Sequence, residues 1–345
     1  MNSKTKIFIT GGTFDKEYNE LTGELYFNYT HMHELLKLGR CKVNVEIETI
    51  MMVDSLDMTE TQRTIIVQKC MDEPLKTIII THGTDTLSFT SSALSQYFYN
   101  FNKPVILVSS DKPIKEKNAT GKKNLEAAIN FILKIKLQGT YVSYKNPKES
   151  SVSFYLGSRV KQINAYDNVL NARYSGIFCN FKNNKFQFTK KKNPSIFSIK
   201  KNGNTNKLNN KFRFSKKILI INPYPGLNYD IYNFNKIKPK AVLHTLYHSG
   251  TASTRGSTKE NFSLEKFIKK NRHKKIPFYI SPISEKNKNI YASLKSLLNL
   301  NVKYLDRISF ETTYAKLALA YKSFKNEKKR NIFLKKNNFF EKISF

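Results

Sequence analysis

Cysteine is scarce in this chain of 345 residues: Cys41, Cys70 and Cys179 are the three, widely spaced and not in CxxC order. That argues against a disulfide framework or a structural zinc, and it fits a reducing, cytoplasmic setting. Long apolar runs are missing too, so no segment is expected to span a bilayer. Met1-Asn2-Ser3-Lys4-Thr5-Lys6 runs straight into an apolar stretch, so no secretory leader is expected. Acidic residues are few, 26 against 59 Lys and Arg, which leaves a formal net charge of +33. Such a charge invites polyanions. The lysines scatter, however, and form no stripe between stacking aromatics, which a nucleic-acid platform needs. Arginine is scarce while Lys, Asn, Ile, Phe and Tyr abound, residues that share AT-rich codons. The charge reads as a solvated basic surface that meets nucleic acid only nonspecifically. No His, Cys, Asp or Glu cluster has metal-ligand spacing, and no G-x-G-x-x-G opens a helix. Neither a metal nor any other cofactor is expected.

What is present is a folded composition, 40% hydrophobic and 13% aromatic, on a chain long enough for two cores. In the first half, strand signals at about 5–10, 43–50, 76–82, 104–109 and 139–144 alternate with helix signals at about 30–39, 59–72, 87–99 and 121–135. Alternation with short connections predicts a parallel sheet covered on both faces. A polar stretch broken by phenylalanines follows, and then strands at about 217–222, 240–246 and 276–281 with helices at about 262–270, 288–298 and 311–324. The fold class is α/β: a larger N-terminal, doubly wound, mostly parallel domain over 1–180 and a smaller C-terminal α/β domain over 217–325. Residues 181–216 read as a lysine- and asparagine-rich linker or insertion, and 326–345 as a basic, loosely docked tail.

Two strand ends carry the chemistry. Thr10-Gly11-Gly12-Thr13 follows Lys6–Ile9, and Thr81-His82-Gly83-Thr84-Asp85-Thr86 follows Thr77–Ile80. In open α/β sheets, ligands sit outside the carboxyl ends of strands, so both turns should converge on one crevice. The glycines allow close backbone approach and leave N–H groups for an oxyanion. A threonine hydroxyl is a weak nucleophile that needs a base. His82 by itself reads as a packed residue, and Thr86 or Ser88 as the cap of the helix that follows.

In this order and separation the two motifs resemble the asparaginase family of amidohydrolases. Val53-Asp54-Ser55-Leu56-Asp57-Met58-Thr59 is similar to the family's substrate-binding segment, and Lys103–Val108 to its next strand. Gly121-Lys122-Lys123-Asn124-Leu125 resembles its G-x-x-N-L helix start, and Gly157-Ser158-Arg159-Val160-Lys161 the segment that bears its catalytic lysine. The resemblance covers the first half well and the second half thinly, through Asn222–Gly226 and Glu311–Ala318. It implies that Thr13 is the nucleophile, with Thr84, Asp85 and Lys161 as its relay. Ser55 and Asp85 would hold an α-carboxylate and α-ammonium, lined by Gly12 and Gly83. A tyrosine on the loop after Thr13, Tyr18 or Tyr26, would complete the site. The implied activity is hydrolysis of L-asparagine to L-aspartate and ammonia by a homodimer or homotetramer, without a membrane partner. The alternatives are the amidase subunit of a tRNA-dependent amidotransferase and a non-catalytic binding protein of the same fold. Ser109-Ser110-Asp111, Leu56 and Thr120 depart from the family pattern, which bears on the pocket wall. Tyr247–Thr251 reads either as a turn or as a contribution to a neighbouring subunit's site.

Overall fold

Ile7, Phe8 and Ile9 are fully buried, as are Ile78–Ile80 and Val105–Val108. Parallel strands covered on both faces show such unbroken apolar runs. They form the middle of the first sheet in a computed structural model. It describes residues 4–19, 21–23, 25–38, 44–73, 77–99, 101–173, 176–189, 193–202, 213–255, 261–283 and 291–342. Cys41 lies outside them. The described residues up to 202, with 338–340, make one compact unit; those of 213–337, with 341–342, make a second.

In the first unit the strands are β1 (Thr5–Ile9), β2 (Lys16–Tyr18), β3 (Leu25–Phe27), β4 (Val45–Thr49), β5 (Thr77–Thr81), β6 (Pro104–Val108), β7 (Gly139–Tyr144), β8 (Val152–Leu156), β9 (Ile177–Lys182) and β10 (Lys185–Phe188). Eight of them form one sheet in the order β10-β9-β8-β7-β6-β5-β1-β4, and β2 pairs with β3 alone. From β4 to β7 the neighbours run parallel; β7–β8, β8–β9 and β9–β10 are antiparallel. The chain leaves β1 for β4 on one side and then crosses to β5 on the other. That reversal is the topological switch point where such sheets open a crevice.

Side-chain bonds fasten β1 to β5 at both ends. Thr5 and Thr77 hydroxyls meet at 2.9 Å, and at the carboxyl end the Thr10 hydroxyl donates to Thr81 O at 2.5 Å. Helix Leu87–Tyr97 follows β5 and is almost wholly buried, its serines and threonine keeping the profile low. Helix Glu60–Met71 starts at a reciprocal cap, with Thr59 donating to the Gln62 carbonyl from its N–H at 2.6 Å and its hydroxyl at 2.8 Å. Buried Arg63 ties it down, bonding Thr90 at 3.1 Å and Glu60 at 2.9 Å.

Of the stretch expected as a linker or insertion, 190–192 and 203–212 lie outside the described residues; its first part is a hairpin. Residues 181–188 complete β9 and supply β10, and helix Ile196–Asn202 follows. Its phenylalanines are the physical reason: Phe181 and Phe186 pack at 4.7 Å, and Phe186 meets Phe131 at 5.8 Å. The end of the chain also differs from a loosely docked tail. Helix Glu327–Lys335 buries Phe333 and Leu334, and Phe339, 1% exposed, packs edge-on to Tyr141 in the first unit. Burying such a ring contributes roughly 1.5–3 kcal/mol.

The second unit holds β11 (Ile218–Ile221), β12 (Ala241–Thr245), β13 (Phe278–Ile283) and β14 (Lys303–Asp306), all parallel and in that spatial order. Its core centres on Phe267, stacked on Tyr229 at 5.0 Å and edge-on to Phe278 at 5.8 Å. Helix Phe310–Ser323 lies in the same unit, and β14 and helices Phe234–Ile237 and Glu327–Lys335 are among the elements that the sequence pattern does not announce. Among the described residues no helix is long and apolar enough to cross a membrane.

Candidate active site

The two strand-end turns meet, and glycine is what lets them meet. Gly12 has φ of +81°, and a Cβ built on it would lie 2.2 Å from Gly83 N and 2.4 Å from Gly83 Cα. A Cβ on Gly83 would lie 2.5 Å from Ser55 Oγ. Gly83 therefore lies against both Gly12 and Ser55, and Thr13, Thr84 and Asp85 adjoin these residues in sequence. Thr13 opens the turn Thr13–Asp15 and is half-exposed, as is Thr84; Asp85 is exposed.

Ser55 is fully buried and its hydroxyl points at Asp85 Oδ2, 3.5 Å away. Its carbonyl accepts from Thr86 Oγ1 at 2.7 Å. So neither Thr86 nor Ser88 caps the helix at 87 with its side chain: Thr86 binds Ser55, and Ser88 Oγ donates to Gln162 Oε1 at 2.9 Å. Ser55 is equally free of capping duty, since Thr59 caps the helix at 60.

His82 is a packed residue, as its sequence context suggests. It is fully buried; Nδ1–H donates to Gly83 O at 2.7 Å and Nε2 lies 3.2 Å from Met58 Sδ. Burial, helped by the nearby Arg63 charge, pushes its pKa down to about 4. His244 in the second unit is likewise pushed down to about 4 by burial, with Nε2 accepting from Tyr229 Oη at 2.8 Å. Both are neutral when folded, while the unfolded chain takes up their protons below about 6.5. Acidification through the window from about 6.5 to 4 then favours unfolding, and stability present at pH 7 is lost. Thermal melting should fall steeply over that window, by up to about 3 kcal/mol per histidine. A flat melting temperature from pH 7 to 4.5 would contradict this.

The segment after Thr13 is a β-ribbon, with Glu17 opposite Tyr26. Tyr26 is 41% exposed and its hydroxyl donates to Glu17 Oε2 at 3.3 Å; the Tyr18 side chain lies outside the described residues. Sequence reasoning missed what fastens the ribbon. Asp15, fully buried, accepts from Thr30 Oγ1 at 2.9 Å and His31 N at 3.2 Å, so one carboxylate closes the ribbon's base. Burial raises its pKa against those bonds. Glu17 also accepts from Lys115 at 2.6 Å and stands 3.0 Å from His31 Nε2, and Lys115 holds its pKa low. Lys16 pairs with Asp54, just before Ser55. Such pairs lie tens of residues apart, and no local motif announces them.

The Ser109–Asp111 departure turns out to be a helix cap. Asp111 Oδ1 accepts from Thr120 N at 2.8 Å and its hydroxyl at 2.7 Å, and Ser110 Oγ accepts from Gly121 N at 3.1 Å. In the second unit Tyr247–Thr251 is a tight turn, closed by Tyr247 N to Thr251 O at 3.0 Å. Tyr247 also lines a cavity of about 250 Å³ with Tyr224, Arg255 and Phe262.

Lys161 is exposed, and among the described residues no ion pair reaches it. The side chain beside Asp85 belongs to Gln162, whose Nε2 donates to Asp85 O. The relay lysine implied by the resemblance is thus not among the groups gathered at the two turns.

A doubly wound α/β protein whose two strand-end turns close on one another at the switch point has them where such sheets bind ligands. Residues 4–191 match the family model "Asparaginase, N-terminal". The chain belongs to the asparaginase family, a family of amidohydrolases. A Thermococcus kodakarensis L-asparaginase is 41% identical over 88 residues, 26% of this chain and 25% of its own length. One of the subunits of glutamyl-tRNA(Gln) amidotransferase from Thermoplasma volcanium is 32% identical over 135 residues, 36% of this chain and 32% of its own. These matches thus span a quarter to a third of the relatives' lengths. The crystallised thermostable L-asparaginase of Thermococcus kodakarensis superposes with a TM-score of 0.78 at 21% identity, covering 99% of this chain and 100% of that one. It shares the fold of both units.

Proposed function

We propose that the protein hydrolyses L-asparagine to L-aspartate and ammonia. The observation that supports this reading is the close approach of the Gly12 turn to Gly83, and of Gly83 to Ser55, whose hydroxyl points at Asp85. In this reading the Thr13 hydroxyl attacks the side-chain amide carbon. Its proton passes through Thr84 to the leaving nitrogen, and ammonia departs. Water then cleaves the threonine ester, releasing aspartate and restoring the hydroxyl. Backbone N–H groups at Gly12 and Thr84 face the oxyanion. Ser55 and Asp85 take the α-carboxylate and α-ammonium. The protein works as a homodimer or homotetramer in the cytoplasm, without a cofactor.

Similarity to an amidotransferase component supports a second reading, an amidase that feeds ammonia to a tRNA-linked reaction. One experiment separates them: ammonia release from L-asparagine and L-glutamine by purified protein, beside Thr13→Ala and Thr84→Ala. Asparagine turnover that falls at least about a thousandfold in Thr13→Ala, the scale for removing a nucleophile, supports the first reading. Glutamine turnover only in the presence of copurified tRNA or a partner subunit supports the second. No ammonia from either amide in any of these settings sinks both.

A further inference from the structure

We infer that Gln162, not Lys161, is the residue that the segment after β8 supplies to the Thr84–Asp85 turn, where its amide positions Asp85 for a ligand's α-ammonium. This rests on the amide-hydrolysis reading for the identity of the ligand. The segment is held firmly on the way there. A Cβ on Gly157 would lie 2.7 Å from Ser95 Oγ, so the glycine lets the chain settle closely against helix Leu87–Tyr97. Ser158 Oγ then donates to Phe339 O and Arg159 Nε to Phe340 O, both at 2.7 Å. Val160 is fully buried and bridges Ala172, and Lys161 N donates to Asn171 O at 2.9 Å. Extended backbone sends successive side chains to opposite sides. Val160 faces inward, Lys161 faces solvent, and Gln162 returns toward the helix.

There its two amide atoms are used differently. Oε1 accepts from Ser88 Oγ at 2.9 Å, and Nε2 donates to Asp85 O. The partners fix which atom is which, since a backbone carbonyl can only accept. An ammonium in this place would have donors only, so it would turn the Ser88 hydroxyl from donor to acceptor and set a positive charge beside Asp85. The amide clamps the Asp85 backbone to the first turn of the helix without adding a cation. Among the described residues no ion pair reaches the Asp85 carboxylate. Its charge therefore stays available to a ligand's ammonium, while Ser55 Oγ, 3.5 Å away, orients the same carboxylate. Gln162 acts through Asp85 and is a positioning residue.

The test uses full-length Gln162→Ala, Gln162→Met and Lys161→Ala. Steady-state ammonia release from L-asparagine is measured, with acetic-anhydride labelling of lysines read by mass spectrometry on the unaltered protein. Gln162→Ala is expected to raise KM about tenfold, the worth of one lost hydrogen bond, with a smaller change in kcat. Gln162→Met keeps the volume and loses the bonds; it should not restore KM, whereas a space-filling role would be rescued. Lys161 should label with exposed lysines such as Lys270, well before buried Lys316. The inference falls if Lys161→Ala abolishes turnover while Gln162→Ala leaves KM alone, or if Lys161 resists labelling as Lys316 does. If the unaltered protein releases no ammonia, the functional reading fails instead, and the labelling still reads whether Lys161 faces solvent.

Discussion

Gly12→Ala is expected to destabilise the first unit by about 4 kcal/mol and to lower asparagine hydrolysis at least about a hundredfold. Two costs add in stability. At φ of +81° an L-residue is strained, which costs about 1–3 kcal/mol. The new Cβ would also overlap Gly83 N and Cα, at 2.2 and 2.4 Å. Both are backbone atoms, so relief requires the Gly12 and Gly83 turns to part, and overpacking of this kind costs about 1–3 kcal/mol more. Parting them moves the turns that carry Thr13 and Thr84, and in the proposed reading a misplacement of about 1 Å costs on the order of a hundredfold in rate. Gly226→Ala is the control: its φ is +79°, yet nothing lies within 4 Å of the added carbon. It should show the conformational cost alone. Urea unfolding followed by circular dichroism measures both variants. Equal losses in the two would mean that the close approach of the turns carries no energy.

The core of the first sheet was legible because its central strands are buried on both faces. Ile78-Ile79-Ile80 and Val105–Val108 can be nothing else in a chain this polar. The Gly-Gly-Thr and His-Gly-Thr-Asp turns were legible because close backbone approach demands glycine at fixed places. What stayed hidden depends on partners far along the chain. β8 to β10 extend the sheet antiparallel, and their burial comes from Phe131 and Tyr141, which no local pattern connects to Phe178 or Phe186. The buried Asp15 holding Thr30 and His31, and Lys16 meeting Asp54, are long-range pairs of the same kind. The exchange of Lys161 for Gln162 is subtler. Sequence shows a lysine and a glutamine side by side; only the inward direction of Val160 fixes which of them faces Asp85.

Lys316→Met is expected to destabilise the second unit by about 3–5 kcal/mol, and adding Glu341→Leu should restore most of that. Both side chains are 0% exposed, and Lys316 Nζ donates to Glu341 Oε1 at 2.6 Å and to Lys336 O at 2.5 Å. Nζ also lies 5.9 Å from the centre of the Phe333 ring. Burial depresses the Lys316 pKa, and the Glu341 charge opposes that shift. Removing the ammonium alone takes the countercharge from a carboxylate held out of water, which is why breaking one partner of a buried pair costs so much. Removing both replaces two desolvated charges by apolar volume, and such exchanges are often neutral or stabilising by about 1–4 kcal/mol. The helix Phe310–Ser323 that carries Lys316 also holds Thr313, hydrogen-bonded to Ser281 of β13 at 3.2 Å. Its loosening should therefore reach the second sheet. A double-mutant cycle in urea reads the coupling directly. Single losses that simply add in the double variant would mean that the pair, despite its geometry, holds nothing together.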